Sequence, residues 1–165
     1  MGLGIFTVDE DYVRRLEPIA PHLFHNSSPG QANSRKFVGV VLDVNGSRYF
    51  APLSSFKPKH RRMKSGLDFV KIGDYAVINL NCMFPVPKGL YHRVDFSKET
   101  DPRYRSLLRN EYRIIRSMEE KIVRNARNLY RHKLANGEST KLAARCNDFL
   151  SLEKACKAYC PRRES

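Results

Sequence analysis

Phe37-Val38-Gly39-Val40-Val41-Leu42-Asp43-Val44-Asn45-Gly46-Ser47-Arg48-Tyr49-Phe50-Ala51-Pro52-Leu53 is the most strongly patterned stretch of this 165-residue chain. Its first eight residues are nearly all apolar, as in a strand buried on both faces. Asn45-Gly46 is the pair that a type I′ hairpin turn demands, and Ser47 to Leu53 returns as the partner strand. Pro52 lacks an amide hydrogen, so the second strand is expected to end there or to lie at an edge. Downstream, Ser54 to Ser65 reads as a basic loop. Asp68 to Ile72 reads as a short strand, Gly73-Asp74 as a turn, and Tyr75 to Val86 as a longer strand closed by Pro85 and Pro87. Upstream, Asn26 to Ser34 is a polar loop with Gly and Pro. Before it, a strand leads into a short helix. Thr7-Val8-Asp9-Glu10 has the capping-box pattern, Tyr12, Val13 and Leu16 give an apolar face, and Pro18 and Pro21 end the helix. Four or five strands at this spacing, joined by tight turns, imply a small curled antiparallel sheet or barrel.

The period then changes. Tyr104, Leu108, Tyr112, Ile115, Met118, Ile122, Ala126 and Leu129 recur every three or four residues, predicting one long amphipathic helix over Tyr104 to Tyr130, ended by Asn136-Gly137. A shorter helical stretch follows from Ser139 to Tyr159, broken near Asn147-Asp148. The chain therefore reads as α+β and as one domain over 1–165, with a β core over about 1–90 and a helical part over about 100–160.

Lys and Arg total 30 against 17 Asp and Glu, a formal charge of +13. Self-repulsion of that size implies an anionic partner, nucleic acid before a membrane surface. No stretch approaches the roughly 18 apolar residues of a spanning helix. Met1 to Tyr12 carries Asp9, Glu10 and Asp11 and no basic leader, so a cytoplasmic protein with no membrane partner is expected. Cys82, Cys146, Cys156 and Cys160 contain no Cys-x-x-Cys pair. A zinc set would have to combine Cys156 and Cys160 with Cys146 or His132, and four reduced thiols is the simpler reading.

Arg105, Arg109, Arg113, Arg116, Arg124, Arg127 and Arg131 follow the apolar helix face one residue along, which rotates them about 100° away from it. Glu120, four residues from both Arg116 and Arg124, is expected to neutralise them in part. A solvated face would tolerate lysine and glutamate equally well. A stripe of arginine alone fits bidentate phosphate binding better. The Ser54 to Lys64 loop adds Lys57, Lys59, His60, Arg61, Arg62 and Lys64 beside the hydroxyls of Ser54 and Ser55. Such a loop is either a flexible basic segment or, aimed by the strand before it, a phosphate site. Nucleotide-binding glycine loops and an HExxH zinc motif are missing, as is a carboxylate cluster for two metals. A nuclease built from these residues is expected to need no metal or other cofactor and to use the RNA 2′-hydroxyl as nucleophile. It needs a base for the 2′ proton, cations on the phosphate and a donor for the leaving oxygen. A lysine can be the base where burial or neighbouring charge lowers its pKa from about 10.4, and Arg35, Lys36, Lys57 and Lys59 crowd such a site.

Four stretches carry a family resemblance. Phe37 to Leu42 followed by Tyr49-Phe50-Ala51-Pro52-Leu53-Ser54-Ser55-Phe56-Lys57 resembles the F-x-G-[IV]-[VI]-L … Y-x-A-P-L-[TS]-S-x-K core of the ToxN/AbiQ (CptN/TenpN) toxins of type III toxin–antitoxin systems. Ile78-Asn79-Leu80-Asn81-Cys82-Met83-Phe84-Pro85-Val86 resembles their I-N-L-x-x-M-x-P-[IV] strand. Phe6-Thr7 through Tyr12 resembles their start, and Tyr104 to Ile122 their long helix. The resemblance spans about 150 residues. It implies an SH3-like β-barrel with a MazF/Kid-like core, decorated with helices. It implies a metal-independent, sequence-specific endoribonuclease that leaves 2′,3′-cyclic phosphate and 5′-hydroxyl ends on mRNA. It further implies processing of, and inhibition by, a small structured repeat-encoded antitoxin RNA in a ring-like complex, with a role in stress response or abortive phage infection. By the same resemblance Ser54, Ser55 and Lys57 match the active-site loop and Tyr12 a tyrosine near it. The family's catalytic lysine falls on Arg35, with Lys36 beside it, and a family tyrosine falls on Gln31. Arginine cannot serve as a base, so either Arg35 stabilises charge only or Lys36 takes the role.

Two other readings compete with a ribonuclease. A non-catalytic RNA-binding protein would satisfy the charge equally well. A DNA-binding regulator needs a short helix-turn-helix, which is not visible.

Overall fold

The structure, a computed structural model, describes residues 2–21 and 35–159. The expected polar loop Asn26 to Ser34, including Gln31, and the thiol of Cys160 lie outside the described residues. Seven strands form an antiparallel sheet: β1 (Gly4–Val8), β2 (Phe37–Val44), β3 (Ser47–Ser55), β4 (Phe69–Ile72), β5 (Ala76–Asn79), β6 (Phe84–Pro85) and β7 (Tyr91–Arg93). The order is β4-β5-β3-β2-β1-β7, with β6 also on β3. Five helices accompany it: α1 (Glu10–Leu16), α2 (Pro102–Ser117), α3 (Glu119–Asn136), α4 (Lys141–Ala144) and α5 (Phe149–Ala158).

The Asn45-Gly46 turn forms as the sequence implies, with φ of +50° and +84°, the left-handed pair that a type I′ turn requires. Strand alternation sends the two sets of side chains into different cores. Ile5, Val38, Tyr49, Ala51 and Ile78 pack with Leu108, Ile115, Ile122, Ala126 and Leu129 of α2 and α3. Phe6, Phe37, Phe50 and Phe84 pack with Tyr12 and Leu16 of α1 and Leu152 of α5. The sheet is thus covered on both faces, which is why β2 reads as a continuous apolar run. Gly39 is needed because a Cβ there would lie 2.2 Å from Cδ1 of the buried Phe50 ring.

The mixed α+β class and the antiparallel pairing agree with the sequence. The expected closed barrel is not what the described strands form: β4 and β7 are the two ends of an open path. Curvature comes instead from the register shift in β2 between Gly39 and Leu42 and from β3 changing partners along its length.

Four local expectations are corrected. Strand β3 runs on to Ser55, and Pro52 lies inside it. Leu53 donates to Lys36 O at 3.0 Å, so the adjacent Phe37–Pro52 pair is a non-hydrogen-bonded one and the proline nitrogen faces away from β2. On that other side, β6 pairs with Tyr49 and Phe50 and β5 only from Leu53 onward, leaving Pro52 in the gap. The strand expected over Tyr75 to Val86 is broken by a 3-10 turn, Leu80–Cys82, because the Leu80 and Asn81 amides both donate to Asp68 O. The long helix is two helices meeting at Met118. There one amide is shared between the Ile114 and Ile115 carbonyls, and the Ser117 hydroxyl takes Ile114 O at 2.6 Å, side-chain competition that bends helices. Finally, Asp9 rather than Thr7 caps α1, its carboxylate accepting from Tyr12 N at 2.9 Å.

Candidate active site

Strand β3 delivers Ser54, Ser55 and, two residues beyond, Lys57 to one end of the sheet. Alternation sends the two hydroxyls to opposite faces. Ser54 Oγ accepts from Arg35 Nη2 and from Asn79 Nδ2, both at 3.0 Å. Ser55 is exposed, and so is Lys57, which remains extended at φ −113°, ψ 158°. The expected pair of hydroxyls is therefore divided: Ser54 orients Arg35, and Ser55 with Lys57 faces solvent.

Arg35 and Lys36 differ in what they can do. Burial holds the Arg35 guanidinium below its ordinary pKa, and its Nε lies buried without a hydrogen-bond partner among the described residues. Burial also lowers Lys36, partly opposed by the Glu99 carboxylate. Lys36 Nζ stands 5.8 Å over the Tyr104 ring. Of the two, only a lysine can lose its proton near neutral pH once desolvated.

The loop after β3 is anchored by a buried histidine. His60 Nδ1 accepts from Lys57 N at 2.8 Å, and Lys71 Nζ donates to His60 O at 3.2 Å. The imidazole packs between Phe56 and Phe69. Burial, then Lys59, Lys57 and Lys71, depress its pKa. His60, expected on an RNA-binding surface, is instead the pin that holds Lys57 in place, while Lys59, Arg61, Arg62 and Lys64 are exposed.

Tyr12 is corrected in the same way. It is 0% exposed, its hydroxyl donates to Pro85 O at 2.5 Å, and its ring packs edge-on against Tyr159. Burial pushes its pKa far up, so it is a core residue rather than a group presented to a ligand. Cys82, whose thiol burial raises to about 11 against the pull of Arg35, is also held as an inert thiol.

The arginine ridge is exposed except at half-buried Arg105, and its members are not equivalent. Arg105 Nη1 donates to Glu99 O at 3.0 Å. Arg116 pairs at 3.4 Å with Glu119, not Glu120, and Glu119 also accepts from Leu3 N. Arg109 lies beside Arg93 and the turn Phe96–Lys98. Arg113 has only a 3.4 Å contact with Asn110. Arg124, Arg127 and Arg131 continue the exposed stripe on α3. Asn79 and Lys71 were not singled out from sequence, although Asn79 sits inside the Ile78-Asn79-Leu80 motif. Among the described residues, no group of three His, Cys, Asp or Glu is arranged to hold a metal ion, and no helix is long and apolar enough to cross a membrane.

A basic α+β protein that steers a serine, two lysines and an arginine to the end of one central strand belongs to a recognisable class. The sequence model of the toxin ToxN family of type III toxin–antitoxin systems matches residues 4–157, and the chain belongs to that family. It is similar to the endoribonuclease ToxN of Pectobacterium atrosepticum, 27% identical over 92% of this chain and 91% of that one. It is 26% identical to the endoribonuclease ToxN of Bacillus thuringiensis subsp. kurstaki, over 94% and 81%. With the endoribonuclease AbiQ of Lactococcus lactis subsp. lactis it shares 28% identity over 96% and 90%. The fold matches a solved type III toxin, selectively inhibited by a non-coding RNA pseudoknot, with a TM-score of 0.83 at 24% identity, over 98% of this chain and all of that one.

Proposed function

We propose that this chain is a sequence-specific endoribonuclease toxin that cuts RNA by 2′-hydroxyl attack and needs no metal. The observation that carries the reading is the exposed Ser55–Lys57 end of β3, backed by the half-buried Arg35–Ser54–Asn79 contact and by the half-buried Lys36. The scissile phosphate sits against Ser55 and Lys57 at the strand end, and Arg35, held on the Ser54 side, adds a fixed positive charge from across the strand as the phosphorane forms. Neutral Lys36 takes the 2′ proton. The 2′ oxygen bonds to phosphorus, the bond to the 5′ oxygen breaks, and the Lys57 ammonium protonates the leaving oxygen. The products are a 2′,3′-cyclic phosphate and a 5′-hydroxyl, and DNA, which has no 2′-hydroxyl, is not cut.

The substrates are mRNAs and the precursor of a small structured antitoxin RNA. The mature antitoxin lies along Arg109 and Arg113 and the Lys59, Arg61, Arg62 and Lys64 loop, inhibiting the toxin in a ring-like assembly. The protein acts in the cytoplasm as a single domain, its bent sheet being the counterpart of an SH3-like, MazF/Kid-like core. Incubation with single-stranded RNA tests this: wild-type protein shortens it, and Lys57→Ala and Lys36→Ala do not. Transcripts that all stay intact with folded wild-type protein would sink the reading.

A further inference from the structure

A groove next to the Ser55–Lys57 strand end is not used by the chemistry above. It holds about 480 Å³ and is lined by Tyr75, Pro102, Arg103, Ser106, Leu107 and Asn110, a size within the usual range for small-ligand sites. Its position is fixed by the hairpin joining β4 to β5. Tyr75 N donates to Ile72 O at 3.1 Å, and Phe56 N donates to Tyr75 O at 3.3 Å. Gly73, at φ +54°, is pressed against α2 so closely that a Cβ would lie 3.2 Å from Ile114 Cδ1. Ser55 is paired with Ala76, the residue after Tyr75. Tyr75, at the edge of the groove, therefore stands one residue from the partner of the phosphate-facing serine.

Its chemistry is that of a base site. Tyr75 is 40% exposed, a large side chain kept partly in water beside the apolar floor of Leu107 and Pro102. Aromatic faces of this kind stack unpaired bases. Ser106 and Asn110 line the same wall from the next turns of α2, Asn110 half-buried, and a carboxamide offers a donor and an acceptor side by side, as base edges require. Arg103 adds positive charge near the backbone. Among the described residues, no carboxylate lines the groove, which suits a polyanion and disfavours a basic peptide.

We propose that this groove receives the nucleobase adjoining the cleaved phosphate, with Tyr75 stacking on it and Ser106 and Asn110 reading its edge. The proposal rests on the ribonuclease reading for the meaning of "cleaved", but its binding arm does not. In that arm, a 2′-O-methyl RNA oligomer, which cannot be cut, is titrated into the full chain. Tyr75→Ala weakens binding about 10-fold, and Tyr75→Phe, which keeps the ring, restores it. In the kinetic arm, four RNAs differing only in the nucleotide beside the cleaved bond are compared by kcat/KM. Asn110→Ala and Ser106→Ala narrow the spread among the four, while Tyr75→Ala lowers all four. Unchanged affinity in Tyr75→Ala, or an unchanged spread of kcat/KM in Asn110→Ala and Ser106→Ala, overturns the proposal. Oligomer binding that depends on Tyr75 with no cleavage of any RNA would keep the groove and discard the nuclease.

Discussion

At the scale of single residues, Lys36 and Lys57 differ in depth, and on the proposed reading that difference divides the labour. Lys57 is an exposed side chain on an anchored backbone, so Lys57→Ala is expected to abolish cleavage while shifting Tm by no more than a degree or two, measured side by side. Lys36 is desolvated, and its lowered pKa has a kinetic consequence. The amine must be neutral to accept a proton, so the cleavage rate rises with pH as Lys36 deprotonates, along a limb centred below the ordinary lysine value of about 10.4. Lys36→Arg loses activity at every pH, and a retained rising limb in that variant would remove Lys36 from the role. Gly39 makes a stability prediction. Gly39→Ala drives a methyl into the rigid Phe50 ring and costs about 1–3 kcal/mol in denaturant unfolding. The sequence marked Arg35 and Ser54, which the structure brings into contact at 3.0 Å, and offered Lys36, Ser55 and Lys57 as candidates beside them. It could not show that Tyr12 and His60 are buried, because a tyrosine or histidine on an amphipathic segment reads the same whether it faces a core or a ligand.

At the scale of elements, the loop after β3 is held by a neutral imidazole, and this sets a pH dependence. His60 is near 6.5 in the unfolded chain and lower when folded, so between those values the unfolded chain binds the extra proton. The stabilisation is complete above about pH 6.5 and is lost as pH falls through the folded value. The protection factor of the Lys57 amide, its exchange rate corrected for the slowing of intrinsic exchange in acid, is expected to drop below about pH 6, ahead of the β2 and β3 amides. On the opposite side of the sheet, Glu153 Oε1 accepts from both Tyr49 and Tyr130 hydroxyls at 2.7 Å, tying α5 to β3 and α3. Glu153→Ala leaves two such hydroxyls without their acceptor and costs about 2–3 kcal/mol in unfolding. The hairpin around Asn45-Gly46 and the cap at Gly137 were legible because turn chemistry is local. The break at Met118 was not, since apolar spacing continues unbroken across it and only the Ser117 hydroxyl and the Glu119-Glu120 start of α3 mark it. Pro52 misled for a related reason: a proline ends a strand only where its missing amide would have met a partner.

At the scale of the whole molecule, a charge of +13 and exposed arginines along both long helices make RNA affinity strongly dependent on salt. Arg109→Ala and Arg113→Ala are each expected to lower the slope of log affinity against log salt by about 0.7–0.9. An unchanged slope would assign that part of the ridge to solvent. The α+β class was readable because strand and turn signals in the first half give way to helical period from Tyr104, but β7 was not: Tyr91–Arg93 is three residues with two of them exposed, too short to show a period. Closure of the sheet was not readable, because it depends on whether β4 meets β7, and no local pattern records that distance. The central claim is that a serine, two lysines and an arginine at one strand end turn an RNA's own 2′-hydroxyl against its phosphate. Its most direct test is the chemistry of the ends left on single-stranded RNA by the pure protein in EDTA. The account predicts 2′,3′-cyclic phosphates and 5′-hydroxyls from wild type and neither from Lys57→Ala. Ends bearing 5′-phosphates, or cleavage that stops when metal is removed, would contradict it.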